Sequence, residues 1–218
     1  MISSLVTPFF KSQRHKLSEL FRVSVFIFTL PLSLLGQSDC ELRKNEEGIK
    51  VYACKSDGTK YKTIKAEFTV DGTLNDFAAV MLDIENYTHW QYKTVKSHVI
   101  KKISDNELIY YTEIGAPWPM SNRDVTVQLK VIHDVHAKKM TISSRSVEGY
   151  LPERENKVRV PMSRALWIVT VEPDSKLRID YTLNVEPGGT VSPWMLNMVS
   201  DEGPFESFRE LRKRFHSK

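Results

Sequence analysis

Residues 111–124 read YTEIGAPWPMSNRD, and this proline-containing stretch is the most specific segment of the chain. Apolar and polar residues alternate on both sides of it, from 107 to 115 and from 123 to 133. Alternation with period two is typical of a strand that is buried on one face. The sequence therefore predicts two strands joined by a proline-rich connection.

The same alternation continues outward over most of the chain. Short turns separate the successive stretches, and strands joined by short turns pair antiparallel. We predict further strands at 49–54, 64–70, 94–101, 138–146, 158–161 leading into 165–172, and 176–185.

Two segments carry helical signals instead. Thr73, followed by Asp76 three residues later, is typical of a capping box. Near the end of the chain, Ser192 precedes a proline, as an N-cap does before the first helical position. The apolar residues that follow each start have helical spacing: Leu74, Phe77, Ala78 and Met81 in the first segment, and Trp194, Met195, Met198 and Val199 in the second.

The C-terminal stripe resumes after Gly203-Pro204 with Phe205, Phe208, Leu211 and Phe215. A glycine followed by a proline predicts a kink or break in this helix. The order of elements indicates one α+β domain, in which a curved antiparallel sheet offers one face to a long C-terminal helix.

Composition limits the possible functions. The 218 residues are 41% hydrophobic, which excludes wholesale disorder, and the net charge is +4. Residues 1–36 account for +3 of that charge, so the remainder carries only +1. A nucleic-acid-binding surface needs clustered basic residues. We therefore expect no nucleic-acid partner.

The leader, residues 1–36, has the features of a targeting signal. Four basic residues precede the apolar run VSVFIFTLPLSLL at 23–35, whose 13 residues are too few for the ~20 of a spanning helix. We predict a signal peptide cleaved near residues 36–38 and a protein that works outside the cytoplasm, periplasmic or secreted. The alternatives are an uncleaved N-terminal membrane anchor and a buried helix.

The chain has two cysteines, Cys40 and Cys54, and both follow the leader. In an oxidising compartment such a pair favours a disulfide. Closing a loop of this size would add roughly 3 kcal/mol in the chain-entropy model. The alternative is two unrelated small apolar side chains. With no histidine nearby, we expect no metal site there.

No catalytic motif is present in the sequence: Gly-x-Ser-x-Gly, His-Glu-x-x-His and glycine-rich phosphate loops are all missing. His133 and His136 are three apart, which on a strand sends them to opposite faces, so we expect no metal pair. His133 continues the apolar face of its strand, as a core or cavity-wall residue. Arg145 fits either a solvated face or a cavity wall, and Glu113 fits a surface position.

Five segments, in order, resemble the StAR-related lipid-transfer (START) domain family. Residues 117–124 resemble its Pro-x-Pro-x-Ser-Asn-Arg-Asp signature. The supporting matches are GIKVY at 48–52, DIENYTHW at 83–90, VRV at 158–160, and PGG at 187–189 followed by PWMLN at 193–197. Together they cover residues 45–216, and we expect an exported bacterial member of the family.

The resemblance implies a helix-grip fold, in which the sheet wraps the C-terminal helix around an internal apolar cavity for a lipid or sterol-like ligand. It leaves open whether the protein transfers, senses or stores that ligand. It also implies transient membrane contact, a monomer, no cofactor, and a structural role for Arg123 and Asp124. The predicted ligand-binding residues are Tyr110, Thr112, Val125, Val127, Leu129, His133, Arg145, Ala165, Trp167, Tyr181, Trp194, Met195 and Met198.

Three positions depart from relatives of known specificity. Members that bind phosphatidylcholine carry an Arg and an Asp where this chain has Tyr87 and Gln91. Sterol-binding members carry a base where it has Leu129. We therefore expect neither headgroup arrangement. Two alternatives to lipid binding remain: a cyclase-like enzyme that uses His133 with Tyr110 or Arg145, and a protein-interaction module without a ligand.

Overall fold

The structure is a computed structural model that describes residues 39–215, apart from Asp57 and Lys60 and from the side chains of Ser175, Pro193 and Trp194. The predicted leader at 1–36 lies outside the described residues. Among the helices that are described, none is long and apolar enough to cross a membrane.

Ten strands of the described residues, most of them predicted by the alternating pattern, form one sheet. Its order is β1-β2-β3-β10-β9-β7-β6-β5-β4, and these neighbours all pair antiparallel. The strands are β1 (Cys40–Glu46), β2 (Ile49–Cys54), β3 (Thr63–Asp71), β4 (Thr94–Ser104), β5 (Glu107–Ile114), β6 (Asn122–Asp134), β7 (Lys139–Ser146), β8 (Lys157–Arg159), β9 (Met162–Val171) and β10 (Lys176–Glu186).

Two strands differ from the sequence prediction. β1 was not predicted, because it lies at the sheet edge with most of its side chains exposed and therefore shows no alternation. β8 was expected to lead into the next strand, yet it is separate and pairs parallel to β6.

β1 is joined to β2 by a disulfide between Cys40 and Cys54, which are paired in register, with an S–S distance of 2.06 Å.

Helix α1 (Leu74–Leu82) begins at the predicted capping box. The Asp76 amide donates to Thr73 Oγ1 at 3.1 Å, and the Thr73 amide donates to Asp76 Oδ2 at 3.1 Å. Its buried face presents Phe77, Ala78 and Met81. A 3-10 helix, Ile84–His89, follows and leads into β4.

The C-terminal segment comprises α2 (Pro193–Asn197), a π-helical turn (Met198–Glu202) and α3 (Gly203–Lys213). The helix widens at Gly203-Pro204, where a kink or break was predicted. Pro204 has no N–H to donate. The Gly203 N–H donates to the Met198 carbonyl, five residues back, rather than to the carbonyl four residues back as in an α-helix. A Cβ at position 203 would overlap that carbonyl oxygen, so the turn requires glycine.

Helix α3 lies against the inner face of the sheet, which confirms the helix-grip architecture. The Phe208 ring centroid is 4.8 Å from that of Phe68, 5.0 Å from Tyr181 and 5.5 Å from Trp167. These contacts anchor the helix to β3, β9 and β10. Between this anchor and the opposite half of the sheet, a cavity remains.

Candidate functional site

The cavity has a volume of about 220 Å³ and lies between the inner face of the sheet and the C-terminal segment. Its walls come from β5, β6, β7, β9 and β10, from the end of α1 and the 3-10 helix, and from the C-terminal segment between the start of α2 and Phe208 of α3. Ten of the predicted site residues line it: Tyr110, Thr112, Val125, Val127, Leu129, Ala165, Trp167, Tyr181, Met195 and Met198.

The structure does not bring Arg145 to the cavity. In the β6–β7 register, Arg145 is opposite Gln128 and Ser144 is opposite Leu129. Since Leu129 faces inward, Ser144 does too, and Arg145 lies on the outer face. There its side chain is exposed, and Nη2 donates to Gln128 Oε1 at 2.8 Å.

His133 is also absent from the cavity lining. It points to the same face of β6 as Val125 and Leu129. It is, however, one residue from the end of the strand and only half-buried. The cavity extends along β6 no further than Leu129 among the described residues. The acid–base set of His133 with Tyr110 or Arg145 is therefore not assembled. Trp194 lies in α2, but its side chain is outside the described part of the chain.

Several lining residues were missed as site residues. Arg123 is two residues before Val125 on β6, so the alternation already placed it on the inner face. Tyr87 and Gln91 line the cavity at the two positions that the family resemblance associates with a headgroup, and that correspondence could have identified them. Trp90 lies between them, and its ring centroid is 4.9 Å from that of Tyr87.

The buried tyrosines of the cavity are neutral. Burial raises the pKa of Tyr110 and of Tyr181, and the neighbouring Tyr110 adds to the effect on Tyr181. Tyr92, closer to solvent, donates from Oη to Glu202 Oε1 at 2.9 Å. Burial and this bond raise the pKa of Tyr92 to about 12. These hydroxyls can donate hydrogen bonds but do not serve as bases near neutral pH.

The outer face of β5 and β6 is covered, which corrects the surface position expected for Glu113. This residue is 6% exposed, because Lys157 of β8, which pairs beside β6 in the sheet, and Arg154 of the preceding loop, which lies over the Tyr111 ring, reach across that face. Glu113 forms an ion pair with Lys157 and accepts from Asn122 Nδ2 at 2.7 Å and from Tyr111 Oη at 3.2 Å. This network supports the cavity wall from behind.

Comparison with known proteins agrees with this geometry. The family model for the START domain matches residues 39–218. The chain belongs to the START domain family. This confirms the resemblance carried by the signature at 117–124 and by the four other segments.

Individual START proteins of known structure or name show the same relationship. The crystal structure of a STAR-related lipid transfer protein fragment from Xanthomonas axonopodis is 28% identical, with a TM-score of 0.74, and the match covers 82% of this chain and 99% of that one. Human phosphatidylcholine transfer protein is 28% identical over 180 residues, covering 78% of this chain and 80% of its own. Human ceramide transfer protein is 25% identical over 203 residues, 84% of this chain but 32% of its own.

A second pocket of about 280 Å³ adjoins the cavity of this START domain. It lies on the other side of α2 and the π-helical turn, towards β1 and β2. The two spaces share four lining residues: Val185, Pro187, Met195 and Val199. The α2–π-turn segment is therefore a thin partition between them. An ion pair from Arg43 Nη2 to Asp201 Oδ2, at 3.1 Å, ties this partition to β1.

Proposed function

We propose that this START domain binds a lipid or sterol-like molecule in its internal cavity and carries it between membranes. The observation that carries the proposal is the cavity itself, walled by apolar and aromatic side chains with few polar groups. Burying an apolar ligand there contributes about 25 cal/mol per Å² before association costs. The names of two relatives, phosphatidylcholine and ceramide transfer proteins, support a lipid ligand.

The alternatives have weaker support. A cyclase-like enzyme needs an acid and a base that meet in the cavity, and the candidate set of His133, Tyr110 and Arg145 does not converge in the described structure. A ligand-free interaction module would have no need for an internal space, since protein interiors are normally close-packed. We therefore favour a binding role without catalysis.

Ligand entry is proposed at the α2–π-turn partition. A cavity of about 220 Å³ is smaller than the ~300–1,000 Å³ of most ligand pockets. Displacing the partition would join the cavity to the adjoining 280 Å³ pocket, because the same four residues line both. The combined space would then accommodate an acyl chain that the closed cavity does not.

Membrane contact is proposed at the apolar edge beside this partition. Trp118 is 92% exposed and Leu196 is 50% exposed. Their segments are linked, because Ser192 Oγ lies 3.1 Å from Met120 Sδ. Aromatic and aliphatic side chains favour the membrane interface over water. We propose that a monomer docks transiently through this edge.

The working compartment is proposed to lie outside the cytoplasm. The leader at 1–36 and the Cys40–Cys54 pair both fit export. N-terminal sequencing of the protein from its host should find a mature start near residues 37–39, and intact mass should show no free thiol before reduction. A soluble form that retains Met1 in the cytosol would contradict export.

Lipid binding is tested on protein purified from its host without detergent. Native mass spectrometry, followed by solvent extraction, should find one lipid molecule per chain. In a vesicle assay, the protein should accelerate transfer of that lipid, and Trp118→Ser should slow transfer while leaving the bound lipid in place. The matched control is Ile132→Ser, an exposed apolar residue on the outer face of β6. Absence of any bound or extracted lipid would overturn the proposed function.

A further inference from the structure

The cavity has an uncompensated positive charge. Among the described residues that line it, Arg123 is the one charged side chain, and no Asp, Glu, Lys or His accompanies it. The remaining polar atoms of the lining belong to neutral hydroxyl, amide, indole and main-chain groups. This guanidinium is therefore the one full charge that the described lining offers to a ligand.

Arg123 is held in place but not neutralised. It is 4% exposed at the start of β6, where Nη1 donates to the Ser121 carbonyl at 2.6 Å and Nη2 donates to the Thr190 carbonyl at 3.2 Å. Its Nε–H is buried without a partner. These carbonyls fix the orientation of the guanidinium, and no ion pair of the described residues includes it.

The nearest carboxylates on the two strands are already used. Asp124 points to the opposite face of β6 and binds Arg159, with Oδ1–Nε at 2.8 Å and Oδ2–Nη2 at 3.2 Å. Glu113, on the outer face of β5, pairs with Lys157. Burial lowers the pKa of Arg123, yet a guanidinium stays protonated under all ordinary conditions. A buried charge without a counter-ion is costly unless a ligand supplies one.

Two further donors in the lining lack partners. Thr112 Oγ1 and Trp90 Nε1 are both buried without a hydrogen bond. In the β5–β6 register Thr112 is opposite Val125, and Ile114 is opposite Arg123, so Thr112 and Arg123 are diagonal neighbours on the inner face. Buried polar groups are almost always hydrogen-bonded, so these unpaired atoms point to an absent acceptor.

We propose that Arg123 binds an anionic oxygen group of the ligand, a carboxylate or a phosphodiester, and that Thr112 donates to the same head group. This inference rests on the proposed function and deepens it, because it gives the lipid a negatively charged head. It also revises the purely structural role that the family resemblance implied for Arg123. A charge-assisted bond of this kind accounts for specificity that apolar walls do not provide.

The test compares ligands with and without the anionic group. Fluorescent cis-parinaric acid is paired with its methyl ester, and pyrene-labelled phosphatidylglycerol is paired with pyrene-labelled diacylglycerol, which lacks the phosphodiester, in vesicles. Wild-type protein should bind the anionic member of at least one pair about tenfold more tightly, or better. Which pair shows the preference identifies the source of the anion, a fatty acid or a phospholipid.

The variants assign that preference to one side chain. Arg123→Met should bind the two members of the pair equally, while Arg123→Lys should keep part of the preference because the charge remains. Arg145→Met, which removes an arginine from the outer face of the same sheet, should behave as wild type. A merely structural role for Arg123 would lower both affinities together and leave their ratio unchanged.

Two outcomes overturn the inference alone: measurable binding by wild type with no charge preference in either pair, or a preference that persists in Arg123→Met. The wild-type comparison needs no variant, so it decides the matter even if Arg123→Met does not fold. Binding of none of the four probes by folded wild type would also overturn the inference, whereas the proposed function falls only if native mass spectrometry and extraction find no bound lipid.

Discussion

At the scale of single residues, the structure separates charges that support the fold from the charge that faces the cavity. Glu113 and Arg123 are on adjacent strands and both are buried, but among the described residues Glu113 has an ion-pair partner and Arg123 has none. Burial raises the pKa of Glu113, and hydrogen bonds from Lys157 and Asn122 more than offset it, so the pKa lies below its usual 4.5. The folded state therefore favours the ionised carboxyl.

This pairing predicts an acid-dependent loss of stability. Because the folded pKa of Glu113 is depressed, its contribution is present above the unfolded pKa and is lost as the pH falls below about 4.5. Lys157→Met should lower the free energy of unfolding by about 3–5 kcal/mol at pH 7, since it leaves a buried carboxylate without a counter-ion, held only by the hydrogen bonds from Asn122 and Tyr111. Urea unfolding at pH 7 and between pH 3 and 5 measures both effects.

A matched control removes an exposed pair instead. Lys102→Met breaks the surface ion pair with Asp105 and should change stability by less than about 1 kcal/mol. Adding Glu113→Gln to Lys157→Met should restore part of the loss. If Lys157→Met were as mild as the control, the network behind β5 would not support the cavity wall.

At the scale of elements, the strength of each sequence signal determined what could be predicted. The capping box at Thr73 and the alternation along β6 arise from local chemistry, so the sequence alone reveals them. β1 shows no alternation because its side chains are mostly exposed at the sheet edge. The parallel pairing of β8 depends on register, which only the folded sheet determines.

The candidate site shows the same limit. Ten of the thirteen predicted residues line the cavity. They could be predicted because the face to which a strand or helix residue points follows from the pattern of its neighbours in the sequence. Arg145 was misplaced even though buried Met140 and Ile142 already mark the inner face of β7, which by alternation puts Arg145 on the outer face, opposite Gln128. His133 has the expected parity but lies beyond the end of the cavity, and no pattern in the sequence marks where an internal space ends.

The π-helical turn between α2 and α3 leads to a prediction about ligand exchange. The Asp201 carboxylate ties this turn to Arg43 of β1, and that bond, followed by the one to Glu41, raises the pKa of Arg43. A partly exposed ion pair of this kind contributes ~0.2–1 kcal/mol, so Asp201→Asn should speed exchange of a fluorescent lipid about 1.5- to 5-fold. Stopped-flow release into excess vesicles measures the rate.

Salt distinguishes this mechanism from a general loosening of the fold. Exchange by the wild type should accelerate as salt screens the pair, whereas the Asp201→Asn rate should depend less on salt. The control is Asp105→Asn, which removes an exposed carboxylate from the turn between β4 and β5, at the opposite end of the strand order from β1. This variant should exchange lipid at the wild-type rate. A wild-type rate for Asp201→Asn would show that the partition opens elsewhere.

At the scale of the whole molecule, the inner face of the sheet has two roles. Around Phe208 it is close-packed, with the rings of Phe68, Trp167 and Tyr181 in contact. Beside the α2–π-turn segment it encloses the cavity, where Met198 is half-buried and Met195 is buried. A charge should therefore be tolerated on the cavity side and not in the packed side.

Met198→Arg tests this division of the interior. If Met198 is cavity wall, water can enter beside the new guanidinium once the lipid has left, so the protein should stay folded and lose its ligand. If Met198 is packed core, water cannot reach the buried guanidinium. The substitution should then lower the free energy of unfolding by several kcal/mol, which is comparable to the whole stability of a small domain. Thermal melts, run beside binding of a fluorescent lipid, separate the two cases.

The control places the same substitution on the outer face of the sheet. Leu166 is 38% exposed on β9, between the cavity residues Ala165 and Trp167, so Leu166→Arg should keep both fold and binding. An unfolded Met198→Arg protein would mean that the C-terminal segment is packed core. A folded Met198→Arg protein that binds lipid as the wild type does would place the ligand away from this segment. Loss of binding with a normal melt is the result that the helix-grip cavity requires.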